Sequence, residues 1–188
     1  MAGRLIIATL VGCALLFLVG LTRFVRTSAT FEVALPRTEP NSARGAKTNL
    51  VALSTGPVLR ASSFDRDVYH LAHPAYLVDG RAHPTRDEKW TPRFDDEAPW
   101  IELGFREPHE VSRVLLRHGS DIDKKLRPNK VYRIRCLGDD APTLHVTRNK
   151  ASRSRHKLHC PRATGVRIEF TKTRGKQPVV YEIEVFGR

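Results

Sequence analysis

The side chains best equipped for chemistry in this 188-residue chain are its eight histidines and a few clustered carboxylates. His70 and His73 lie three apart, as do His156 and His159, the latter followed by Cys160. On a strand, positions i and i+3 point to opposite faces, so the second pair is a poor chelate. No C-x-x-C spacing occurs. Asp95-Asp96-Glu97, between Pro92 and Pro99, reads as an acidic turn. Glycoside hydrolysis needs two carboxyl groups at a defined separation across a cleft, and nothing in the sequence suggests one. No G-x-S-x-G nucleophile motif is present. These residues argue for a protein that binds rather than one that catalyses.

For binding, residues 118–127 read HGSDIDKKLR after a strand-like run. His118, Asp121, Asp123 and Arg127 there can hydrogen-bond hydroxyls, the carboxylates and the guanidinium in bidentate fashion. The alternative is an ordinary solvated loop. Arg93, in an earlier loop, is a further candidate. Trp90 offers a face on which a sugar ring can stack, and core packing is its competing use. Residues 148–157, RNKASRSRHK, carry charge suited to a phosphate or sulfate polymer. Aromatic interleaving is absent, which argues against nucleic acid, and the plainer reading is a hairpin tip.

Charge is unevenly placed. The net charge is +12, made up of +4 over residues 1–47, −4 over residues 51–110 and +12 over residues 111–188. A field of that sign favours anionic partners such as acidic glycans, lipid headgroups or cell-wall polymers.

Residues 5–21, LIIATLVGCALLFLVGL, hold Thr9 as their only clearly polar member. Seventeen residues cover about 25 Å as a helix, the lower limit for a bilayer span. Phe24, Val25 and a snorkelling Arg23 extend it. The segment is expected to be an uncleaved transmembrane anchor. A cleaved signal peptide competes, though no good A-x-A site follows. Residues 1–26 are thus anchor or signal segment. Residues 27–48, with Pro36, Pro40 and Gly45, read as a flexible linker, and residues 49–188 as the domain.

The domain reads as strands and turns. Residues 111–117, 131–137, 144–147, 157–160, 166–170 and 179–186 are strand candidates. Tyr132, Ile134 and Cys136 face one way and Arg133 and Arg135 the other. Period-two alternation between Gly, Pro and Asp signals an antiparallel all-β sandwich. Cys136 and Cys160 both point to the expected core, either as a disulfide or as two buried thiols. A bridge would fit an oxidising compartment.

These runs carry a resemblance. Asn49-Leu50-Val51-Ala52-Leu53 with Ala61-Ser62-Ser63-Phe64, the loop from Pro74 to Arg81 containing Asp79-Gly80, Trp90, Pro99-Trp100-Ile101-Glu102-Leu103-Gly104, and the closing Tyr181-Glu182-Ile183-Glu184-Val185-Phe186-Gly187 resemble, in order and spacing, the discoidin or coagulation factor 5/8 type C family. The resemblance spans residues 49–187. It implies a galactose-binding-like jelly-roll sandwich and noncatalytic binding of glycans or phospholipids through loops at one end. It implies that Trp90 and Trp100 are mainly structural. It also implies a structural calcium held by Asp79, Thr85 and Glu182, against which Arg81 stands as a cation able to pair with Glu182 instead. Members are mostly extracellular, which places the domain outside the cytoplasm, although Arg23 and Arg26 after the apolar run lean the other way. The expected role is a membrane-anchored module for glycans or anionic surface polymers. The alternative is an assembly protein that docks another envelope protein.

Overall fold

The computed structural model describes residues 31–34, 48–52, 55–65, 74–80, 88–119, 122, 125–138, 143–171 and 177–188. The N-terminal apolar run lies outside them. No helix among the described residues is long and apolar enough to cross a membrane.

Among the described residues eight strands follow one another: β1 (Phe31–Ala34), β2 (Thr48–Asn49), β3 (Val58–Ala61), β4 (Trp100–His118), β5 (Tyr132–Leu137), β6 (Leu144–Val146), β7 (Arg153–Phe170) and β8 (Val180–Gly187). A 3-10 turn, Pro74–Leu77, precedes β4. All pairings are antiparallel.

The two long strands build both layers. The first part of β4 lies between β3 and the last part of β7, with β5 and β6 beyond. The last part of β4 lies between β8 and the first part of β7, and β2 closes the far side of β8. Register shifts between Gly104 and Arg113 mark where β4 turns from one layer to the other. Such irregularities bend a strand and raise its twist. The sequence reading separated residues 157–160 from 166–170, because Pro161 and Gly165 look like breakers. They are one strand. Pro161 falls where the β4 ladder is already interrupted, so its missing N–H costs no bond. Gly165 stays because a Cβ there would meet the Leu103 carbonyl oxygen at 2.6 Å.

Alternation sets what is buried. Ile101 and Leu103 from β4, Ile134 and Cys136 from β5, Val166 and Ile168 from β7 and Ile183 and Val185 from β8 face inward. Fully burying such a side chain is worth about 1.5–3 kcal/mol. Cys136 and Cys160 form a disulfide with a Cα–Cα separation of 6.4 Å. It ties β5 of one layer to the first part of β7 in the other. Phe31–Ala34, inside the expected linker, pairs with β3 through four residue pairs.

Candidate functional site

The loops at one end of the sandwich are laced together by main-chain bonds. Asp65 N donates to Thr91 O, Phe170 N to Pro99 O, Thr171 N to Val131 O, Asn149 N to Lys130 O and Gly119 N to Val179 O, at 2.8–3.2 Å. Residues 62–65, 91–99, 125–131, 147–152 and 177–179, with Gly119 and Thr171, therefore converge on one end.

Loop 91–99 is stapled in place. The Asp96 carboxylate accepts from Ser62 Oγ and Ser63 Oγ, both at 2.5 Å, and from the Ala98 N–H at 3.2 Å. Ser63 Oγ accepts from Arg93 N, and Ser62 Oγ from Trp100 N, each at 3.0 Å. Asp95 takes a two-pronged contact from Arg93, at 3.0 and 2.5 Å. Asp95 and Asp96 of the acidic turn thus brace this loop. Between these two residues stands Phe94, 79% exposed and the only large apolar side chain so exposed among the described residues. Solvating an aromatic ring on a braced loop is costly unless something covers it. Sequence reasoning named Arg93 and passed over Phe94, because one aromatic in a polar loop has no periodicity to betray its exposure.

Two expected ligand contacts are interior. Trp90 is buried; its indole N–H donates to Ser63 O at 3.0 Å, its ring lies 5.6 Å from that of Phe170, and its backbone bridges Val180. It is a core residue, as the resemblance implied, and offers no open face to a sugar. His118 is the larger correction. It ends β4 fully buried, with Ser154 Oγ 2.7 Å and Asn149 Nδ2 3.1 Å from Nε2 and Asn129 Nδ2 3.1 Å from Nδ1. Asn129 also donates to Val179 O and accepts from Val179 N. His118 is a post to which three loops are tied. It points inward because Leu116 and Val114, two and four positions before it, set that face. Arg127 is exposed on the same loop. Asp121 and Asp123 lie outside the described residues. Ser154 continues inward to the Tyr132 hydroxyl at 2.9 Å, which meets His156 Nε2 at 2.8 Å. Burial pushes the Tyr132 hydroxyl up to about 12 and the His156 imidazole down.

A cleft of about 530 Å³ opens beside loop 91–99, lined among others by Glu97, Trp100, Arg133, His145, Arg167 and Glu169. Trp100 faces outward here, half-buried beneath the Arg167 guanidinium at 3.9 Å. Core packing was the expectation. The outward orientation follows from Ile101 and Leu103 claiming the inner face of β4. Arg133 pairs with Glu169, and Arg167 with Glu102 and Glu169.

Of the expected calcium ligands, Asp79 and Glu182 come together and Thr85 lies outside the described residues, as does Arg81. Glu182 is 2% exposed. Gly80 N donates to Oε1 at 3.1 Å, and the buried Oε2 has no hydrogen-bond partner among the described residues. Burial first, then the Asp79 charge, raise its carboxyl to about 9. A buried carboxylate that feels the charge of a second carboxylate has the oxygen chemistry a hard cation takes. No group of three His, Cys, Asp or Glu that could hold a metal is found among the described residues.

The layer order and the shared long strands match solved structures. The chain has the galactose-binding-like fold of the discoidin type. A Streptococcus pneumoniae fucose-binding module superposes on this sandwich with a TM-score of 0.60 at 16% identity, covering 78% of this chain and all of the module. The lectin domain of lectinolysin, solved with Lewis b antigen, gives 0.59 at 19%, covering 75% and 97%. Chitosan-binding module 1 from a Paenibacillus sp. IK-5 chitosanase/glucanase gives 0.58 at 18%, covering 74% and 99%. No family model matches the sequence, and no curated protein does. At these identities the discoidin-type sandwich is shared as a fold.

Proposed function

We propose that this chain is a noncatalytic glycan-binding module, held at an extracytoplasmic membrane surface by its N-terminal apolar segment. The observation that carries the reading is Phe94, exposed on a loop fixed by the Ser62, Ser63 and Asp96 contacts. A braced aromatic lets a sugar ring stack without ordering the loop at the moment of binding. Arg93 and Arg127 at the same end supply donors to hydroxyls. The solved carbohydrate-binding modules of like fold support the choice of ligand class. Asp79 and Glu182 would hold a calcium ion that braces loop 74–80 against β8, away from the ligand.

The test is a glycan array probed with the full-length chain beside Phe94→Ala. Retention of at least one glycan class, lost in Phe94→Ala with melting unchanged, is the expected result. No glycan retained, with a protein recovered instead by crosslinking through the Phe94 loop, would overturn it in favour of docking to another envelope protein.

A further inference from the structure

The first half of β7 carries a second surface that the loop-end site does not use. Its residues alternate in burial: Ser154 and Cys160 are buried, His156 and Leu158 are half-buried, and Arg153, Arg155, Lys157 and His159 are exposed. The four exposed residues are all basic in type. Residues 153–160 pair with β4 on one side, and the β5 ladder reaches β7 only from Gly165 onward. Among the described residues, then, this half of the strand has an open edge. Arg155 and Lys157 have no carboxylate partner among the described residues. Arg133, Arg135 and Arg167 on the other layer are by contrast compensated by Glu102 and Glu169.

Alternate residues on a strand stand about 6.8 Å apart, so the row runs about 20 Å. That spacing is shorter than the screening length of about 8 Å at physiological salt, so the cations act on a ligand together. An edge strand needs some charge to discourage pairing with another chain. Charge of either sign, or one lysine, would serve that end. Four basic positions in register do more. Glu182 and Glu184 share this face but lie two strands away on β8, opposite Arg117 and Leu115. The row offers no aromatic platform apart from His159, which disfavours nucleic acid bases. It is one residue wide and has no exposed large apolar side chain, which disfavours a membrane plane.

We propose that Arg153, Arg155, Lys157 and His159 form a linear track for an acidic polysaccharide, separate from the glycan site at the loop end.

The experiment uses the full-length chain and two double variants that each lose two positive charges, Arg155→Gln with Lys157→Gln, and Arg133→Gln with Arg135→Gln. Heparin is the probe, with neutral dextran, single-stranded oligothymidylate and phosphatidylserine vesicles beside it. Wild type should bind heparin and not dextran. Its slope of log affinity against log salt should fall by about 1.5 in the 155/157 variant, at roughly 0.7–0.9 per lost contact. Affinity at physiological salt should drop about tenfold, with melting and the neutral-glycan array signal unchanged. The 133/135 variant should change the slope by less than about 0.5. Equal losses in both variants would reduce the effect to bulk charge and overturn the track. So would an absence of heparin binding, or tighter binding to oligothymidylate or vesicles. Array binding lost in Phe94→Ala while heparin binding persists would separate the two surfaces.

Discussion

The guanidinium of Arg167 lies over the indole of Trp100, 3.9 Å from the ring centroid, and forms a lid on the outer face of β4. The chain has two tryptophans, and the other, Trp90, is buried. Arg167→Ala should therefore raise acrylamide quenching of one tryptophan and leave the other protected. Loss of the stacked cation, together with the Glu102 and Glu169 contacts, should lower stability by about 1–2 kcal/mol.

Phe94 and His118 should separate function from scaffold. Phe94→Ala removes an exposed ring and should leave the unfolding midpoint within the range of ordinary surface changes, about 0.5 kcal/mol. His118→Ala leaves a hole in the interior and removes the ring that Ser154, Asn129 and Asn149 share, and should cost about 2–4 kcal/mol. Chemical denaturation of both, read beside the glycan array, checks the division.

Reducing the Cys136–Cys160 disulfide, which closes a separation of 24 residues, should cost about 3 kcal/mol. Guanidinium unfolding with and without reductant measures it. The same bond reports compartment. Thiol labelling of chain recovered from cells without reduction should find Cys136 and Cys160 blocked if the domain lies outside the cytoplasm, and reactive on unfolding if it does not.

Glu182 gives a pH signature. Its carboxyl is raised to about 9 in the folded protein, above its ordinary value of 4.5. Between those values the folded state holds a proton that the unfolded chain has released. Without metal, this group's contribution is full below about pH 4.5 and is lost as pH rises toward 9, at no more than about 1.4 kcal/mol per pH unit. Calcium should reverse the trend by stabilising at pH 8 and doing little at pH 5, where the proton competes. Glu182→Gln should flatten both responses in thermal melts taken with calcium or with chelator.

Much of the sandwich was legible because alternation is local. Tyr132, Ile134 and Cys136 could be assigned inward from six residues of β5, and the disulfide partners followed. The continuity of β7 through Pro161 was not legible, because it depends on a break in β4 more than forty residues away in the chain. His118 shows the same limit at the site. It reads as the first residue of a loop after a strand but is the last residue of β4, and whether that residue points into a loop or under it depends on Asn129, Asn149 and Ser154. Exposure of Phe94 is likewise a product of loops meeting from five parts of the chain.

The short strand β1 governs how far the domain can travel. It is an edge strand joined to β3 by four residue pairs, with Glu32 held to Arg60 at 2.7 Å. With β1 docked, only the steps from Arg26 to Phe31 link the apolar segment to the folded body, a reach of at most about 17 Å. With β1 released, the chain from Arg26 to Thr48 reaches at most about 75 Å. Phe31, the first residue of β1, is paired with Ala61 beside the converging loops, so with β1 docked the preceding chain joins the body at its loop end. If residues 5–21 are held in a bilayer, as proposed, a four-rung ladder sets whether those loops stay close at hand or range several times farther.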